Sequence, residues 1–150
     1  MARANRSCTR PFAGSHFRLV CDREFNRVQV FTTEGKFVKE VVIAKNTRGL
    51  GAPADIAFSR DPQQRYMYVT DGQNKKVFVL DRQSLEILTS FGEGGRHAGA
   101  FISPHSIAID SKDNLFVTET LSGRKIHRFV YKGVGSVPRE QRSRPADRLR

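Results

Sequence analysis

Few residues in this chain have the types and spacing that chemistry needs, and the most suggestive is His105, in the triplet Pro104-His105-Ser106. An imidazole can ligate a metal or transfer a proton at neutral pH. A catalytic zinc needs three protein ligands and an open position for water, so His105 would meet one third of that requirement. The other histidines, His16, His97 and His127, show no close pairing of the kind zinc motifs use. A structural reading stands beside the metal one, in which His105 hydrogen-bonds a neighbouring backbone carbonyl at a crowded turn.

Other chemistry is sparse. "GLGAPA" (49–54) fits the dinucleotide fingerprint formally but leads into a strand, so the phosphate-binding helix terminus is missing. No GxSxG elbow, P-loop or HExxH occurs. Asp110 and Asp113 flank a tight turn that favours Asp and Asn for local hydrogen bonds, and no ligand-dense calcium loop surrounds them. Asn5-Arg6-Ser7 is a formal glycosylation sequon. Cys8 and Cys21 form neither a CxxC pair nor a disulfide framework by spacing, and Cys21, in an apolar run, reads as a small buried hydrophobe.

The elements that must carry these residues come from an internal repeat. "RLVCDREFNRVQVF" (18–31), "YMYVTDGQNKKVFVL" (66–80) and "NLFVTETLSGRKIHRF" (114–129) share one plan. An apolar strand ends in an acid (Asp22, Asp71, Glu119), a polar turn follows, and a basic residue opens a second apolar strand. Those second strands open at Val28, Val77 and Ile126, 49 residues apart twice over. "PADIAF" (53–58) and "PHSIAI" (104–109) precede two copies, and "KFVKEVVI" (36–43) and "LEILTSFG" (85–92) follow two. The runs are short, β-branched and aromatic, bounded by Gly, Pro, Asn and Asp, which predicts strands without helix. Four short strands per period of this length predict an all-β fold, a partial β-propeller of four-stranded blades. The predicted organisation is an unassigned basic segment over 1–17, blades over about 18–50, 51–100 and 101–133, and a basic tail over 134–150. The middle blade is complete. No innermost strand is recognisable for the first, and no outermost strand for the last. A propeller closes with about four to eight blades, so two and a half to three imply either a piece of a longer protein, the favoured reading, or closure by another chain.

"GAFISPHSIAIDSKDNLFVTET" with "KIHRF" resembles an NHL repeat, and the resemblance extends over residues 18–133. It is nearest to bacterial six-bladed NHL propellers. That resemblance implies a disc with a central channel and loops on two faces, working as a non-catalytic scaffold that binds peptides or proteins. In the distantly similar peptidylglycine α-amidating lyases, such Pro-His-Ser triplets supply zinc ligands. This implies the alternative of a lyase-like zinc propeller in which His105 is a metal ligand. The sister position in the middle blade is Ala54, which weakens it. No cofactor is expected of this chain by itself, and zinc or calcium would require further blades to complete a site.

Charge points to binding. The net charge is +11, and six of these charges lie in the two ends: Arg3, Arg6 and Arg10, and five Arg against Glu140 and Asp147 over residues 134–150. Arg27, Lys75, Lys76, Arg124 and Lys125 end equivalent turns, which predicts a positive rim able to attract acidic peptides, phosphates or nucleic acid. The competing reading is that these side chains only solvate the rim and blunt strand edges. Nucleic-acid binding through rim and tails is a second alternative, without a recognisable RNA-binding signature. No signal peptide or membrane-spanning segment is recognisable in the sequence, and it names no compartment.

Overall fold

A computed structural model describes Cys8, Arg10, Pro11 and residues 16–136. The sequon, Arg3, Arg6 and the arginines of the C-terminal segment lie outside these residues. Among the described residues there is no α-helix, and none that could cross a membrane. The chain forms three antiparallel sheets in succession. The first contains β1 (Arg10–Pro11), β2 (Phe17–Asp22), β3 (Arg27–Thr32) and β4 (Phe37–Val42), in that spatial order. The second contains β5 (Asp55–Phe58), β6 (Tyr66–Asp71), β7 (Lys76–Asp81) and β8 (Ile87–Phe91). Two short strands, β9 (Glu93–Gly94) and β10 (Ala100–Phe101), pair in parallel in the following connection. The third sheet has three strands, β11 (Pro104–Ile109), β12 (Leu115–Glu119) and β13 (Ile126–Phe129).

Sequential strands pair because the turns between them are short. Asn26, Lys75 and Arg124 close the three equivalent turns with φ of 56°, 57° and 45°. Alternation then sends side chains to both faces of each sheet. One core lies between the first and second sheets and includes Leu19, Cys21, Val28 and Val30 against Ile56, Met67, Val69 and Leu80. The other lies between the second and third, with Val77, Tyr68 and Phe91 against Phe101, Ile107, Val117 and Phe129. Each fully buried Val, Leu or Ile contributes about 1.5–3 kcal/mol relative to exposure, so stacking of the sheets carries the stability. Close approach at the first junction requires Gly51 (φ +69°), where a Cβ would fall 1.8 Å from the Arg23 carbonyl oxygen. Gly51 of "GLGAPA" thus serves packing over the β2–β3 turn.

Two features differ from the sequence reading. The first sheet has an innermost strand, β1, too short and too unlike "PADIAF" to be seen as a repeat. Cys8 and Cys21 are disulfide-bonded, with Cα atoms 5.4 Å apart, so Cys21 is not merely a buried hydrophobe. The reason is register. Arg10 pairs with Leu19 and Pro11 with Arg18, and continuing that ladder two residues outward sets Cys8 opposite Cys21. Both are buried, and the separation suits a disulfide.

Candidate binding surface

The three equivalent turns lie at one end of the stacked sheets and carry the cations expected to form a rim. Arg27 is neutralised there. Its guanidinium contacts Asp22 Oδ2 at 2.9 Å and Glu40 Oε2 at 3.1 Å, and it lies over the Phe25 ring. Lys75 Nζ donates to the Gln73 carbonyl at 3.3 Å, and Lys125 Nζ to the Arg96 carbonyl at 2.7 Å. Lys76 opens β7 directly opposite Asp71. Arg124 is exposed at the left-handed turn position. The turn cation is thus paired with two carboxylates in the first sheet and exposed at Arg124 in the third. From Leu121 to Ser136 the chain has Arg124, Lys125, Arg128 and Lys132 and no carboxylate side chain.

The acids that end the second strands organise these turns. Asp71 is buried, and its Oδ1 accepts the N–H groups of Gln73 and Asn74, both at 3.0 Å. Glu119 does more. Its Oε2 accepts Ile102 N–H at 2.5 Å and Ser103 N–H at 2.8 Å, and its Oε1 lies 2.7 Å from His127 Nε2. Burial alone would push this carboxyl up, but the hydrogen bonds from His127, Ser103 and Ile102 outweigh it and hold Glu119 below its ordinary value. The His127 ring also packs edge-on to Phe101, centroids 4.9 Å apart.

His105 lies on β11. Its Nδ1 is 3.2 Å from Ser106 Oγ, and its carbonyl oxygen accepts the Thr70 hydroxyl at 2.7 Å. Beside it, Ile107 N–H donates to Asp55 Oδ2 at 3.1 Å, while Asp55 Oδ1 accepts Ile56 N–H. Asp55 and Thr70 thus clasp the second sheet to the third. They face each other in register, as Ser106 and Thr118 do in the third sheet. Cys8 and Cys21 hold the same positions in the first. Sequence reasoning missed this clasp, although the acid in "PADIAF" is its visible signal. Among the described residues, no three His, Cys, Asp or Glu side chains converge as metal ligands.

At the opposite end of the strands, a cleft of about 740 Å³ opens between the first two sheets. Phe17, Val30 and Val38 form its apolar wall, and Lys39, Arg65 and Arg82 border it with Asp81. Lys39 Nζ donates to the Gln83 carbonyl and so bridges the two sheets, while Arg82 donates to the Gln63 carbonyl within the second.

No known family model matches the sequence. Solved structures do match the fold. The WD40 repeats of RRP9 align at 16% identity and a TM-score of 0.56, covering 78% of this chain and 34% of that one. Virginiamycin B lyase from Staphylococcus aureus aligns at 19% identity and 0.52, covering 79% and 39%. The Cps50 (Swd1) β-propeller domain of Myceliophteria thermophila aligns at 15% and 0.52, covering 92% and 43%. The fold is a partial β-propeller. The chain spans well under half the length of the propellers it matches, and its three sheets are successive blades. In this arrangement β1, β5 and β11 are the innermost strands of their blades.

Proposed function

We propose that this chain is an NHL-type propeller scaffold of the six-bladed kind, which binds protein or peptide partners and has no catalysis of its own. The observation that carries the reading is the recurrence in three blades of a left-handed residue just before the third strand, with cations at or beside it each time. Repetition on one rim suits an extended partner better than a small substrate. Because Arg27 is paired with Asp22 and Glu40, the contacts fall to Lys75, Lys76, Arg124 and Lys125. Acidic segments are the matching chemistry.

A zinc-lyase reading is kept for one reason: His105 is part-exposed on an innermost strand, and its ring nitrogen Nδ1 meets only a hydroxyl. Metal analysis of the purified chain and its His105→Ala variant separates the two. The scaffold reading predicts equal, substoichiometric zinc in both. Stoichiometric zinc lost on substitution would contradict it. Nucleic-acid binding through the same rim would appear as RNA affinity that falls steeply with salt.

A further inference from the structure

The connection from β4 to β5 (residues 43–54) crosses between the first two blades and carries cations outside the repeated turns. Lys45 and Arg48 are exposed, and among the described residues neither side chain has a hydrogen-bond or ion-pair partner. Arg23, in the β2–β3 turn beneath it, is half-buried, and its Nε is buried without an acceptor. Burial lowers the Arg23 pKa from its ordinary value, against the pull of the Asp71 charge. The Asp71 oxygens are taken, since they accept from Gln73 and Asn74. A donor withdrawn from water with no acceptor is costly, and an anion beside it would remove that cost. We infer that Arg23 and this connection anchor an acidic segment of a partner protein, with a carboxylate at Arg23 and an apolar residue against Leu50. This deepens the scaffold reading and rests on it.

The surface is built before any partner arrives. Asn26 Nδ2 donates to the Lys45 and Thr47 carbonyls at 3.3 and 3.0 Å, and its Oδ1 accepts Ala52 N–H at 2.9 Å. Asn74, in the second blade, donates to Thr47 Oγ1 at 2.7 Å. The connection is thus fastened to turns of two four-stranded blades. Between the fastenings Leu50 stands 66% exposed and belongs to neither core, so packing of the blades does not account for it. A loop already fixed in this way loses little freedom on binding.

Charge selects the occupant. Residues 44–54 contain no acid. Of the acids in the two adjoining turns, Asp22 is paired with Arg27, Asp71 is buried, and Glu24 is exposed. Arg23, Lys45 and Arg48 therefore face one open carboxylate, a balance that favours an acidic partner and disfavours a basic one. Phe25, the aromatic residue of the β2–β3 turn, has the Arg27 guanidinium over its ring. That leaves the aliphatic Leu50 as the apolar contact, which suits a peptide side chain better than a stacked base.

The test uses the full chain and labelled synthetic peptides built from Glu-Glu-Leu-Glu-Glu in tandem, from the same unit with Ser for Leu, and from the same unit with Lys for Glu. Fluorescence anisotropy should show saturable binding of the leucine peptide, weaker binding of the serine peptide and none of the lysine peptide. The Lys45→Glu/Arg48→Glu variant is expected to bind the leucine peptide about tenfold more weakly. Leu50→Ser should bind the leucine and serine peptides alike, the signature of a direct pair. Arg23→Gln should weaken binding by about tenfold without lowering the unfolding midpoint, because it removes a donor that has no acceptor. A lowered midpoint with unchanged binding would make Arg23 structural and overturn the anchor. The anchor is also overturned, and the scaffold kept, if these variants bind as the natural chain does while reversal at Lys75, Lys76, Arg124 and Lys125 abolishes binding. Failure of every peptide to bind would remove both readings. A short oligo-uridine that displaces the leucine peptide and loses affinity equally in the same variants would overturn the acidic peptide as occupant.

Discussion

At the scale of single residues, two buried carboxylates hold neighbouring elements together. Asp55 accepts N–H groups from its own strand and from the next blade. Asp55→Ala leaves Ile107 N–H, buried between blades, without its acceptor, at a cost of about 1–3 kcal/mol. Urea unfolding should register that loss, and Asp55→Asn, which keeps one acceptor oxygen, should lose less. Glu119 predicts a pH dependence. Its folded pKa is depressed, so its contribution to stability is present above its unfolded value of about 4.3 and is lost as pH falls through the lower folded value. Thermal unfolding between pH 6 and pH 3 should show a steeper acid-side loss in the natural chain than in Glu119→Gln. Parallel curves would remove Glu119 as a source of acid sensitivity. Little of this was legible in the sequence. The acid ending each second strand is visible, but its partners come from a connection sixteen or seventeen residues away in the chain. His127 occupies a position that is Gln29 and Phe78 in the sister strands, so repetition gave no hint of the pair.

At the scale of elements, the strands were legible because their β-branched and aromatic runs are short, bounded by turn residues and repeated at one period. A left-handed residue two positions before Val28, Val77 and Ile126 marks where each third strand begins. What escaped was β1. A two-residue strand has no periodicity to detect, and its place is fixed by pairing with β2 and by the Cys8–Cys21 link. That link spans 13 residues, a loop for which chain entropy gives about 3 kcal/mol of stabilisation. Non-reducing peptide mapping should find the two cysteines joined in oxidised protein. Reduction should lower the unfolding midpoint, and a Cys8→Ser/Cys21→Ser variant should match the reduced chain and ignore reductant. An unchanged midpoint on reduction would mean that β1 is held by other contacts.

At the scale of the whole molecule, the repeat sets a cation at each equivalent turn but engages it differently from blade to blade. Arg27 in the first blade is paired with Asp22 and Glu40, Lys76 in the second stands opposite Asp71, and Arg124 in the third is exposed. Composition announced an excess of positive charge but not these differences, because they depend on which acids fold back onto which turns. The measurement that bears most directly on the scaffold account is fluorescence anisotropy of the full chain against labelled acidic, neutral and basic peptides of equal length, at low and near-physiological salt. Saturable binding of the acidic peptides, weakened by salt and by charge reversal at Lys75, Lys76, Arg124 and Lys125, is the predicted result. Absence of saturable binding, or binding indifferent to peptide charge and to those substitutions, would contradict it.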